Sequence, residues 1–227
     1  IVLLTRERGK ISAFAKGARR PNSQFLAAAN PFVFGTFALY EGRSSYNLNQ
    51  VSITHHFVEL AGEQPGIYYG YYFLELADYF GQEGTDEKES MNLLYVTVKA
   101  LLNPHIEDRL VRCIFELRMM AAQGLCPSLF HCVCCERQPV EGEKIFFSQQ
   151  NHGILDKHCL GQVNDAKRIS APALYAMQYI VTTSLGKLYT FTVTEEVLYE
   201  LERHIHTYVA SNTEKRFKSL EILEIMS

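Results

Sequence analysis

The sequence predicts an α+β protein: an N-terminal OB-like β-barrel followed by an all-α body that carries an inserted zinc-knuckle-like cysteine segment. Three observations predict it. Four short runs rich in Val, Ile, Phe, Tyr and Thr lie upstream of Gly62. Beyond Gly62 the apolar period changes from two residues to about 3.6. Five of the six cysteines fall between Gly124 and Cys159, and Cys132-x-x-Cys135 has the spacing of half a metal knuckle. The expected division is residues 1–61 for the barrel and 62–227 for the helical body, with the knuckle at 124–160.

Ile1–Thr5, Lys10–Lys16, Phe32–Tyr40 and Tyr46–Thr54 read as strands, because β-branched and aromatic residues fit a pleated surface. Gly9 turns the first pair, and Glu41-Gly42-Arg43-Ser44-Ser45 turns the second. Phe32, Phe34, Thr36, Ala38 and Tyr40 share one face, while Val33, Phe37 and Leu39 share the other. Apolar residues on both faces predict a small closed barrel of the OB type. The chain is apolar from its first residue, so an edge strand or a missing upstream strand is expected at Ile1.

The helical part follows from stripes. Tyr69, Tyr72, Phe73, Leu76 and Phe80 recur at helical spacing up to Gly81. Leu94, Val98 and Leu101 mark a second helix, stopped by Asn103-Pro104. Ile106, Leu110, Ile114, Leu117 and Ala121 mark a third, with Gly124 as its C-terminal stop. A fourth is expected over Pro172–Thr183. A last one carries Val197, Leu201, Ile205 and Tyr208, with Thr194 as N-cap.

Composition narrows the function classes. Of 227 residues, 47% are hydrophobic and 21% charged, an ordinary globular balance that can build a sizeable core. No apolar run approaches the length of a bilayer span, so no membrane contact is expected. Clustered cysteines without extracellular cues suit a reducing compartment, and the cytoplasm is the expected location. The net charge of −3 conceals an asymmetry: residues 1–60 sum to +4 and the rest to −7. A basic end on an acidic body predicts a polyanion partner for that end.

The basic strand and turn from Lys10 to Arg20 is the leading binding candidate. It places Lys10, Lys16, Arg19 and Arg20 around Gly17, which lets a partner approach the backbone. Phe14 has the chemistry to stack on a base, but a strand phenylalanine is more often core. For a metal, Cys132 and Cys135 supply one half-site and Cys159 a third ligand. Asp156 stands where the second pair should begin with cysteine, and zinc accepts carboxylate oxygen. His131, Cys134, Cys126, His152 and His158 are nearby substitutes. The competing reading makes these thiols small core residues, as Cys113 is expected to be on its helical stripe.

An enzymatic alternative also has a motif. His105-x-Glu107 followed by Cys132-x-x-Cys135 mimics a zinc-dependent nucleobase or nucleoside deaminase, in which one His and two Cys hold the metal and Glu moves protons. The proline expected before the first cysteine is His131 here, and an amphipathic helix with no strand fills the interval. No phosphate-binding loop, dinucleotide fingerprint or serine nucleophile motif is present. No catalytic residue is therefore assigned. A third reading is a zinc-bearing interaction adaptor that does not touch DNA.

The order of LLTRERGKISAFAKGARR, YFLELADYF, FELRMMAAQG, P-x-L-x-x-C-x-x-C at Pro127–Cys135 and KRFKSL at Lys215–Leu220 resembles the bacterial RecO recombination mediator family. The resemblance runs along the chain apart from a first strand. It implies a non-enzymatic, nucleoid-associated DNA-repair factor that binds single- and double-stranded DNA and anneals complementary strands. It also implies work with RecR to help RecA displace single-strand binding protein. The family's basic positions correspond to Arg8, Lys10, Lys16, Arg19 and Arg20. Arg109, Arg112 and Arg118 are the only concentrated cations to receive the acidic C-terminal tail of single-strand binding protein. The family knuckle has a second C-x-x-C, where this chain has Asp156-x-x-Cys159.

Overall fold

The computed structural model describes residues 1–43, 45–140 and 142–226. Packing divides the chain into two compact units, one of Ile1–Leu102 with the residues from Phe217 onward, the other of Asn103–Arg216. The compact units therefore divide after Leu102, whereas the change from strand to helix falls near Gly62.

In the first unit, β1 (Val2–Thr5), β2 (Gly9–Phe14), β3 (Val33–Glu41) and β4 (Tyr46–His56) form one sheet in the order β1-β2-β4-β3. All four strands match the sequence reading to within about two residues at most ends. Gly9 turns β1 into β2 at φ +65°, and a Cβ there would lie 1.9 Å from the Gln82 carbonyl oxygen, so only glycine fits. Gly42 N–H donates to the Ser45 carbonyl at 2.9 Å in the later turn; Ser44 of that turn lies outside the described residues.

The sheet is not a closed barrel. β1 and β3 are its two edges, and β2 meets β4 in parallel through only Ala13–Tyr46 and Phe14–Asn47. The expectation that both faces of β3 are covered fails, because Thr36, Ala38 and Tyr40 are exposed. One face alone finds cover: Phe37 and Leu39 pack with Val51 on a small core of Ala18, Phe25 and Leu48. A sheet with one wet face has no need to close on itself.

Three helices complete this unit: α1 (Gly66–Phe80), α2 (Lys88–Leu101) and α6 (Lys218–Met226). The α1 stripe is the predicted one, with Tyr69, Tyr72, Phe73 and Leu76 buried. Helix α6 was not expected. Phe217, buried at its start, meets the Tyr72 and Tyr79 rings edge-on at 5.8 and 5.7 Å. The Ser219 N–H and hydroxyl both donate to the Glu75 carboxylate on α1.

The second unit holds α3 (Asp108–Ala122), α4 (Ala171–Thr182) and α5 (Glu195–Ser211). Gly124 ends α3 at φ +76°, with its N–H on the Ala121 carbonyl and the Leu125 N–H on the Met120 carbonyl, a Schellman pair. Cys113 is fully buried on α3, as expected. The Ser170 hydroxyl caps α4 by accepting from Ala173 N–H at 3.2 Å.

This body is not all-α. β5 (Ile145–Ser148), β6 (Gly153–Asp156) and β7 (Lys167–Ile169) make an antiparallel sheet in the order β6-β5-β7. Strands of three and four residues are too short to show a period of two, and Phe147 and Leu155 are buried whichever way the run is read. Among the described residues no helix is long and apolar enough to cross a membrane.

Candidate nucleic-acid interface and candidate metal centre

The basic turn is built by what lies beneath it. Ala18 and Phe25 are buried in the small core, so the chain on either side of Arg19 and Arg20 is anchored inward. Successive backbone bonds, Ala18 N–H to Ala15, Arg20 N–H to Gly17 and Ser23 N–H to Arg20, at 3.0–3.1 Å, lock the turn. Gly17 at φ +79° supplies the left-handed residue it requires. Lys16, Arg19 and Arg20 then project into solvent with no side-chain partner among the described residues.

The other two expected contacts differ. Arg8 donates to the Glu41 carboxylate at 3.0 Å and to the Tyr46 hydroxyl at 3.2 Å. Lys10 donates to the Asp78 carbonyl at 2.6 Å and pairs with its carboxylate at 3.4 Å. Alternation along β2 turns Ile11 and Ala13 inward and Lys10, Ser12 and Phe14 outward. Phe14 is therefore 66% exposed, not core. It lines an open groove of about 800 Å³ together with Lys10, Ser12, Arg43 and Tyr46.

The second site is made of sulfur. The thiols of Cys132, Cys135 and Cys159 lie within 4.8 Å of one another, a group able to hold a metal ion. Cys132 and Cys135 stand on one turn, closed by the Glu136 N–H on the Cys132 carbonyl at 2.9 Å. Cys159 follows β6 on a short helical turn. The hairpin is fastened to the turn by Val133 N–H to the Ile154 carbonyl and Ser128 N–H to the His152 carbonyl, at 2.9 and 2.8 Å. Gly153 permits this approach, since a Cβ there would lie 2.6 Å from the Ser128 oxygen.

The electrostatics favour a thiolate at Cys132. Burial pushes its thiol up, but N–H groups of Asp156, Cys134 and Cys135 aim at the sulfur and bring it down to about 7. The Cys159 thiol is pushed up to about 12 by its hydrogen bond to Cys135, by burial and by the neighbouring sulfurs. Metal ions bind thiolates, so a cation at this group would displace thiol protons. Asp156 is not brought into it. Its carboxylate accepts from the His158 N–H at 2.8 Å and from the Arg137 guanidinium, and both contacts hold its pKa down.

With this geometry stands a match along the whole chain. A family model described as "Recombination protein O N terminal" matches residues 1–57, and one described as "Recombination protein O C terminal" matches residues 66–221. The chain belongs to the RecO family. A relative named "DNA repair protein RecO" in Symbiobacterium thermophilum is 31% identical over 227 residues, covering 100% of this chain and 90% of that protein. One of the same name in Alkaliphilus metalliredigens is 30% identical, covering 98% and 90%, and one in Acetivibrio thermocellus is 27% identical, covering 100% and 89%.

Within this RecO chain the three α3 arginines are engaged by their own unit. Arg109 donates to Glu107, Glu195 and Glu202 at 2.6–3.1 Å. Arg112 pairs with buried Glu116 at 2.9 Å, and Arg118 donates to the Val181 carbonyl at the end of α4. His105 and Glu107, the deaminase-like pair, line a separate pocket with Ile106, Leu110, Thr192 and Val193. Neither belongs to the thiol group. The residue that sequence reasoning undervalued is Phe14. Its alternation with Ile11 and Ala13 was the available signal.

Proposed function

We propose that this chain acts in DNA repair and recombination as a DNA-binding mediator with no catalytic chemistry of its own. It binds single- and double-stranded DNA, anneals complementary strands and, together with RecR, helps RecA onto strands coated by single-strand binding protein. The family supports the role, and the partners follow from the resemblance. One observation on the chain itself carries the DNA-binding reading: three exposed cations with no side-chain partner among the described residues, on a locked turn that follows the strand bearing exposed Phe14.

The chemistry asked of these residues is modest. Lys16, Arg19 and Arg20 neutralise phosphates and release counterions, which lowers repulsion between two strands. Phe14 offers a face on which an unpaired base can stack. Base pairing then drives annealing, with no group required to move a proton. Zinc on Cys132, Cys135 and Cys159 is the structural part of the proposal. It would tie the knuckle to the β5–β6 hairpin and do nothing to the DNA. This reading does not rest on Arg109, Arg112 or Arg118, whose charges are already met by neighbouring groups.

Binding of a labelled single strand at several salt concentrations tests it. The native chain should show a steep loss of affinity with salt. Changing Lys16, Arg19 and Arg20 together to Ala should weaken binding and flatten the log–log slope by about 2, at roughly 0.7 per lost phosphate contact. An unchanged slope would remove the turn from the interface. No salt-dependent binding by the native chain would leave the adaptor reading in its place.

A further inference from the structure

We infer that the wet face of the N-terminal sheet is a platform for unpaired bases, on which the rings of Phe14 and Tyr40 each receive one base and the Asn47 amide lies between them. The platform rests on the DNA-binding reading given above. It extends that reading from the basic turn to the sheet and sets single strands apart from duplexes.

Strand register puts the three residues in one row. Phe14 of β2 pairs with Asn47 of β4, and Tyr40 of β3 pairs with the same Asn47. Directly paired residues point to one face of a sheet, and neighbouring strands lie about 4.8 Å apart. The two rings therefore stand roughly 10 Å apart across the amide. Phe14 is 66% exposed and Tyr40 69%, and Asn47 is exposed between them. Along the same face the next pairs are Ala38 with Gln50 and Thr36 with Ser52, all exposed. Leu39 and Leu48, paired on the opposite face, go into the small core. The row is thus held from beneath and left open above.

The chemistry of this face fits bases, and its neighbours fit phosphates. Amides and hydroxyls donate to and accept from base edges, and an aromatic ring stacks on any base because every base has a π-face. Lys16 follows Phe14 by two residues and opens the basic turn. Exposed Arg43 lines the groove that Phe14 shares. Glu41 and Glu83 border that groove too, but Glu41 pairs with Tyr46 on the opposite face and its carboxylate is held by Arg8 at 3.0 Å. A duplex cannot use the row. Its bases follow one another at about 3.4 Å along each strand, so each base face is covered by the next. Rings roughly 10 Å apart can stack only on bases that have left such a column, as those of a single strand can.

Fluorescence anisotropy with the full chain compares three labelled probes of equal length: oligothymidylate, the same sugar–phosphate strand without bases, and a duplex. The native chain should bind oligothymidylate at least about 25-fold more tightly than the abasic strand, at about fivefold or more for each stacked base. Tyr40→Ala should shrink that preference about fivefold or more, with abasic affinity, duplex affinity and salt slope unchanged. Tyr40→Phe should bind as native, because the ring and not the hydroxyl is used. Equal binding of oligothymidylate and the abasic strand by the native chain overturns the platform while leaving the basic turn in place. A Tyr40→Ala chain that keeps its circular dichroism and the full native preference also overturns it, as does an equal loss on all three probes. Absence of salt-dependent binding of every probe by the native chain overturns the DNA-binding reading, and the platform with it.

Discussion

Five cations lie from Arg8 to Arg20, but their surroundings sort them. Arg8 and Lys10 have carboxylates and carbonyls within hydrogen-bond distance, so a phosphate would have to compete for them. Exposed pairs of this kind are screened by solvent and contribute little, so the competition is mild. Lys16, Arg19 and Arg20 pay no such exchange. Phe14 works by a different force, and its test should show that. Phe14→Ala should cost single-strand affinity about 1–3 kcal/mol, the usual range for a stacked base, while leaving the salt slope as it was. A changed slope with unchanged affinity would exclude stacking. His204 carries a residue-scale prediction in the other unit. Burial, and then Arg203, push its pKa down to about 4, against about 6.5 in an unfolded chain. Between those values the unfolded chain holds the extra proton, so this site's stability is complete above pH 6.5 and is lost as pH falls toward 4. The difference amounts to about 3 kcal/mol. Urea midpoints measured across pH 4–7 should fall more steeply for native protein than for His204→Gln.

Elements were legible where the residue pattern was long enough to carry a period. The nine residues of β3, the eleven of β4 and the stripes of α1, α3 and α5 all exceed one repeat several times over. β5, β6 and β7 do not, and their partners are set by tertiary contacts that no local pattern encodes. Closure of the first sheet was misjudged for a related reason. An apolar face on β3 says what could be buried, not whether a neighbour exists to bury it, and Tyr40 is left 69% exposed. In the candidate site, Cys132, Cys135 and Cys159 could be named from spacing. The fate of Asp156 could not, because Arg137 reaches it across 19 positions. The hairpin element itself can be tested at Gly153. A methyl group there would lie 2.6 Å from the Ser128 oxygen and 2.7 Å from Val133 Cγ1. Gly153→Ala should destabilise the unit by about 1–3 kcal/mol in urea, through overpacking, and raise amide exchange over 128–133. A variant as stable as native would mean the knuckle turn is not fixed to β6.

At the scale of the molecule, the basic turn and the thiol group fall in different units. The unit holding the basic turn has ten basic and twelve acidic side chains, so under the proposed function any attraction for DNA comes from a local patch and not from its total charge. The thiol group lies wholly in Asn103–Arg216. If the metal is structural, removing it withdraws stabilisation from that unit in proportion to RT ln(1 + [L]/Kd), about 4 kcal/mol at a thousandfold excess over the dissociation constant. A strong chelator should therefore lower the unfolding midpoint and speed amide exchange through the hairpin and the turn at 132–135. The phosphate contacts proposed for Lys16, Arg19 and Arg20 would depend on Ala18, Phe25 and Leu48, none of which belongs to the unit that holds the thiol group. Single-strand affinity at fixed salt should then stay within about twofold of native, a change of only about 0.4 kcal/mol. Loss of DNA binding in step with loss of metal, at a temperature where circular dichroism still shows the first unit folded, would place the thiol site in the interface and overturn its structural role.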